Sequence, residues 1–244
     1  MDYLVSRELN TLYILLDVIF LIMISIVLLK LKKKTAFLFG LAGGIIYFMV
    51  DYGIFYRLLG TREVIGANPF YFLLWLSMSY GFTNFLWIWL FFDKEKKIVE
   101  WSLLIVIGWF SIAMIAQAYG QSFSTIQISR GTSGYHGAMA IMLILGYFYV
   151  IIRNLMDEKN ERIPILKLLM IGIIVQFSWE FVLLISGIRP MGFQPLIINS
   201  LLETNLGIPY LFFIHRGIKR VIESKESFVA NDSKGECSNE IIHE

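Results

Sequence analysis

Charge is scarce in this chain. Only 16% of its 244 residues are Asp, Glu, Lys or Arg, against ~25% in a soluble domain. Hydrophobic residues make up 57% and the mean hydropathy is +0.67, so there is too little polar surface to cover a fold in water. Cysteine is nearly missing: Cys237 stands alone, which excludes an internal disulfide. Three scattered histidines and that thiol do not make a metal site. No glycine loop of the phosphate-cradling kind is present, so neither a metal nor a cofactor is expected. The basic residues sit in short connections rather than along one face, which argues against a nucleic-acid partner. No lysine lies between Lys167 and Lys219, which leaves no Schiff-base lysine for a retinal protein in the last helix.

What is present is a series of long apolar runs. A bilayer core of ~30 Å needs ~20 apolar residues per helix. Seven stretches qualify, near 10–30, 35–58, 69–92, 98–119, 136–153, 164–186 and 193–214. The first lacks a small-residue cleavage site and reads as a helix. The fold class expected is therefore an all-α membrane protein with seven transmembrane helices over residues 1–222. Residues 223–244 turn polar and are expected to form a disordered cytoplasmic tail. Lysine and arginine crowd alternate connections: Lys30, Lys32, Lys33 and Lys34, then Lys94, Lys96 and Lys97, then Arg153, Lys159 and Arg162, then Arg216, Lys219 and Arg220. The intervening loops hold only Arg57 and Arg62, Arg130, and Arg189. This bias predicts an outer N-terminus and a cytoplasmic C-terminus in a multi-pass cell-membrane protein.

The chain also matches itself. Gly66-Ala67-Asn68-Pro69 aligns with Gly187-Ile188-Arg189-Pro190. Continuing without gaps, Phe72 meets Phe193, Thr83-Asn84 meets Thr204-Asn205, and Leu90-Phe91-Phe92 meets Leu211-Phe212-Phe213. One helix earlier, Gly43 meets Gly172 and Asp51 meets Glu180. The pattern predicts a 3+1+3 parallel repeat, with units at about 10–92 and 136–214 joined by a linker helix at 98–119.

Four acids fall within the predicted helices: Asp17, Asp51, Glu180 and Glu203. At ~1.5 Å per residue they share a slab in the outer half of the membrane. No lysine or arginine lies deep in any helix to pair with them, so each is expected to hold a proton. An amide in place of such an acid should then be nearly silent for stability. Asp17, near the interface, is expected only to bond a neighbouring helix. Asp51, Glu203 and Glu180 are the candidate catalytic groups, and Asp51 and Glu180 are expected to face each other across a pocket between the repeats. Tyr47, Tyr52 and Trp179 flank the acids and offer ring faces to a cation. With Asn84 and Asn205, near the midplane, they form the candidate substrate-binding set. Gly131-Thr132-Ser133-Gly134 matches the nucleophile motif of rhomboid proteases. His215, however, falls at the opposite end of the helices from Ser133, and His136 does not fit the rhomboid arrangement, so the base that a serine nucleophile requires is missing.

At Trp179-Glu180 and at Glu203-Thr204-Asn205-Leu206-Gly207-Ile208-Pro209-Tyr210, the chain resembles the membrane-bound terpene cyclases of fungal meroterpenoid and indole-diterpene pathways. Members of that family carry a Trp-Glu pair in the second helix and an acid four residues before a glycine in the last. Glu203 and Gly207 match the latter. The second helix here has Val50-Asp51, and the Trp-Glu pair stands in the sixth. The resemblance implies that one acid protonates an epoxide or alkene while aromatic rings guide the carbocation. The expected activity is an acid-initiated cyclase or isomerase of a lipophilic isoprenoid. The alternatives are a small-solute or proton-coupled transporter and a plain membrane-interaction or immunity protein.

Overall fold

The computed structural model describes residues 4–131, 135–156, 162–190 and 192–240. It is mostly helical. Strand β1 (Leu4–Asn10) leads into α1 (Thr11–Lys30) and α2 (Lys34–Phe48). A π-helical stretch, Met49–Leu58, prolongs α2 and is followed by β2 (Arg62–Ile65). Next come α3 (Pro69–Phe92), α4 (Ile98–Tyr119), a short 3-10 turn (Gly120–Ser122) and β3 (Thr125–Gly131). The chain closes with α5 (His136–Met156), α6 (Ile165–Ile185), α7 (Phe193–Leu202) and α8 (Ile208–Glu240).

Five helical stretches among the described residues are long and apolar enough to cross a membrane: Thr11–Lys30, Lys34–Leu58, Ile98–Ser122, Gly137–Met156 and Ile165–Ile185. Their outward faces are greasy. On α1 alone Leu15, Ile19, Ile22, Met23 and Ile26 are exposed, a surface that only lipid or another apolar face can cover. Helix α3 is set apart by its composition. Its Trp, Tyr, Ser, Thr and Asn residues lower its hydropathy, and it is the central helix, burying Leu73, Leu86, Trp87 and Leu90 almost completely. Asn68 starts it by accepting from Phe70 N (3.0 Å), with Pro69 in the first turn, where the missing N–H costs nothing.

Helices α2 and α3 touch backbone to backbone. A Cβ built at Gly81 would lie 3.0 Å from Gly44 Cα and 3.1 Å from Gly43 O. Small residues at this crossing let the helices approach closely.

The connections gather at two faces. At one, β1, β3 and β2 form an antiparallel sheet in that order, and Glu8 N donates to Ile188 O (3.0 Å) in the α6–α7 connection. At the other, Lys33 pairs with Glu95, and Lys219 with Asp93 (2.9 Å).

Three features depart from the sequence reading. The sheet adds β structure to a fold expected to be all-α. The helix expected at 193–214 is broken over Glu203–Gly207. The break follows from Pro209, which cannot donate to the carbonyl of residue 205; Ile208 N takes that carbonyl instead (3.3 Å). Finally, α8 runs on to Glu240, through the segment expected to be a disordered tail. Residues 241–244 and Ser133 lie outside the described residues.

Candidate functional site

Beneath the sheet is a cavity of about 310 Å3. Its walls come from segments far apart in sequence: the π-helical stretch, α3, α6, and the break between α7 and α8. Both irregular segments thus lie against it. Irregular backbone at membrane depth is tolerated where it lines a cavity, and π-turns often mark functional sites.

Asp51, in the π-helical stretch, is 3% exposed and lines this cavity. Its carboxylate pairs with the Arg62 guanidinium of β2 and accepts the Tyr80 hydroxyl of α3. Glu203 lines the same cavity from the helix break and accepts from Gln176 Nε2 (3.2 Å). Thr204, beside it, donates to Gln176 Oε1 (2.6 Å), so one glutamine of α6 clamps the break in place. Aromatic side chains complete the wall. Tyr47 meets Tyr80 edge-on at 4.8 Å, and Trp179 lies 6.1 Å from the Tyr80 ring and 4.8 Å from Trp109.

Glu180 has a different place. It is fully buried and does not line the cavity. Arg189 pairs with it, Asn199 Nδ2 (3.1 Å) and Gln176 Nε2 (3.3 Å) donate to it, and Arg7 NH2 of β1 approaches to 3.5 Å. Burial, and then the charge of Arg7, pushes the Arg189 guanidinium below its usual range, while Glu180 opposes the shift. Glu180 does not face Asp51 across the cavity as expected; Asp51 and Glu203 are the acids that line it.

Asp51 and Glu180 are not without cations, as the sequence reading had them. The partners lie in β1, β2 and the α6–α7 connection, just beyond the helix ends. A long guanidinium side chain reaches from there to carboxylates one or two turns down. A search confined to helix interiors misses such pairs. Asp17 is fully buried and accepts from Trp75 Nε1 (3.0 Å), a bond to a neighbouring helix.

Of the proposed substrate-binding set, Tyr47 and Trp179 line the cavity. Tyr52 faces away and stacks between Phe48 and Tyr56. Asn205 is buried, accepting from Tyr147 OH (3.3 Å) and donating to Ser200 O (3.2 Å). Asn84 is 1% exposed, and neither amide atom has a partner among the described residues. The sequence reading missed Tyr80, Arg62, Arg7 and Gln176. Gln176 stands one turn before Glu180 on the same face, a signal that was available; Arg7 and Arg62 stand in Leu4–Asn10 and Arg62–Ile65, whose polar and apolar residues do not alternate.

No protein-family model, no curated protein and no solved structure matches the chain.

Proposed function

We propose that the chain is a membrane-embedded enzyme that rearranges a lipophilic isoprenoid by proton transfer, as an acid-initiated cyclase or isomerase. The observation that carries this reading is that Asp51 and Glu203 wall one aromatic cavity. Arg62 balances the charge of Asp51, which suits that carboxylate to accept a proton and leaves Glu203 to give one. The Glu203 O–H bond breaks as its proton adds to an alkene carbon or an epoxide oxygen. The electron-deficient carbon so formed is attacked by a neighbouring π pair, closing a ring, or moves along the chain. Asp51 then takes a proton from the carbon beside the final cation, and the C–H pair becomes a new alkene. The product is an isomer of the substrate, and no redox partner is required. The faces of Tyr47, Tyr80 and Trp179 stabilise the cation, and Gln176 holds Glu203 in position.

In this reading the protein makes seven passes with its N-terminus outside. Support comes from the two faces on which the connections gather and from the lysines that crowd one of them. The 3+1+3 repeat finds support in helix packing: a Cβ at Gly172 would meet Asn205, and one at its counterpart Gly43 would meet Phe85, next to Asn84.

The test is turnover in lipid nanodiscs with plain and epoxidised polyprenyl substrates, analysed for cyclised or double-bond isomers. Glu203→Gln should abolish product while tryptophan near-UV dichroism stays native. Absence of product from every such substrate, or full activity in Glu203→Gln, would sink the proposal. The helix break favours a second reading, since broken helices build the substrate sites of many transporters. Substrate-dependent proton flux in proteoliposomes, with no chemical product, would select it.

A further inference from the structure

The sheet is more than a cover for the cavity. Side chains alternate between the faces of a strand. Leu9, Ile126 and Ile128 are buried and mark its inward face. Arg7 pairs in register with Ile128, and so does Val64 on the other side. Arg62, two residues before Val64, shares their face. The sheet therefore delivers two guanidinium groups to the cavity wall.

Neither group is saturated. A guanidinium carries five N–H donors. Among the described residues Arg7 has one long contact, to Glu180, a carboxylate that Arg189, Asn199 and Gln176 already hold. Arg62 gives one bond to Asp51, and its Nε is buried without a partner among the described residues. The residue choice points the same way. Every basic residue in the sheet-face segments is an arginine: Arg7, Arg57, Arg62, Arg130 and Arg189. The opposite face is rich in lysine. A need for interfacial charge alone is met by either residue, whereas the planar fork of arginine matches the oxygens of a carboxylate or phosphate.

We propose that the ligand of this cavity is an anionic amphiphile: a single-chain lipid whose carboxylate or phosphate head binds Arg7 and Arg62, its chain lying along Tyr47, Tyr80 and Trp179. The inference rests on reading the cavity as the substrate site. When Glu203 carries the proton used in that reading, the guanidiniums of Arg7, Arg62 and Arg189 exceed the carboxylates of Asp51 and Glu180 by one. The head group supplies the missing negative charge. It also fixes which end of the chain reaches Glu203, so the anion sets the position of protonation.

The experiment measures binding, without turnover, in the Glu203→Gln protein in zwitterionic nanodiscs, by quenching of tryptophan fluorescence. The probes are farnesyl phosphate, farnesoate and farnesol. At least one anion should bind ~10-fold or more tightly than the alcohol. Arg7→Gln should remove that preference while leaving farnesol binding unchanged, and Arg7→Lys should restore part of it. Farnesol affinity serves as the check that the variant is folded. The proposal is overturned if farnesol binds as tightly as both anions, or if Arg7→Gln keeps the anion preference. It is also overturned if phosphatidate in the nanodisc displaces the probes, which would make this a bilayer-headgroup site. Because no step depends on catalysis, a failed turnover assay leaves this result standing, and a failed binding assay leaves the turnover result standing.

Discussion

Asp51 and Arg62 offer the sharpest test of the ion-pair account, because the sequence alone predicts the opposite outcome. A carboxyl that holds its own proton tolerates an amide, so Asp51→Asn should then be nearly silent. The structure predicts a large cost. Arg62 is 7% exposed, and Asp51→Asn leaves its charge buried with no carboxylate to answer it. Removing one partner of a buried pair costs about 3–5 kcal/mol. Arg62→Met keeps the packing of the aliphatic stem but leaves the Asp51 carboxylate, among the described residues, with only the Tyr80 hydroxyl, at a cost in the same range. The double variant leaves no bare charge, and replacing a whole buried pair by neutral groups costs ~1 kcal/mol or less. The two single costs should therefore fail to add by ~5 kcal/mol or more. Reversible unfolding in mixed micelles, followed by tryptophan fluorescence, measures all four proteins. Additivity within ~0.5 kcal/mol, or an Asp51→Asn variant as stable as the parent, would refute the reasoning.

Gly81→Ala should destabilise the protein by ~1–3 kcal/mol, because the new methyl meets the backbone of α2 rather than a side chain that can move; Gly53→Ala, with open space around it, is the control and should be close to neutral, and equal unfolding midpoints for the two would contradict the packing. The Lys33 ammonium, bonded to Glu95, holds that carboxyl below its usual range. Its contribution, below about 1 kcal/mol for a partly exposed pair, should be full above the ordinary carboxylate pKa of ~4.3 and fade as the pH falls through the lowered value. Glu95→Gln should lose that small contribution at neutral pH and flatten the acid part of the stability profile, as pH-dependent unfolding measures. In a Cys237→Ser background, a cysteine at Ser122 should react with an impermeant maleimide on intact cells and one at Lys96 should not; the reverse pattern would invert the orientation.

The helices were legible because an apolar run of the right length has few other uses. Helix α3 shows the limit of that signal: its tryptophans, tyrosines and Asn84 lower its hydropathy, and they do so in a helix most of whose residues are buried against protein. The break at Glu203–Gly207 was present in the sequence as Pro209, but proline near a helix end looks harmless until the helix is seen to continue past it. The sheet was the least legible element. The stretch Thr125-Ile126-Gln127-Ile128-Ser129-Arg130 alternates as a strand should, yet its partners lie in the N-terminal segment and in the α2–α3 connection, and nothing local names them. For the same reason the candidate acids were found and their cations were not. Acids inside apolar runs stand out, whereas arginines in connections look like ordinary interfacial charge until the strands turn them inward.

The order of the strands has a consequence for how the protein is made. The central strand, β3, is the last of the three to leave the ribosome, and Leu4 waits for Gly131 before it gains its register partner. Until α4 has been inserted, β1 and β2 have no ladder between them, and no sheet holds Arg7 and Arg62 over the helices. Glu180 is made later still, on α6, and Arg189 follows it by nine residues. The nascent chain thus lays down its first guanidinium long before the carboxylate it approaches. The helical hairpins can assemble as they emerge, but the polar interior beneath the sheet can close only near the end of synthesis. Chains truncated before residue 131 should expose an unpaired strand edge, the kind of surface that quality-control proteases and chaperones engage.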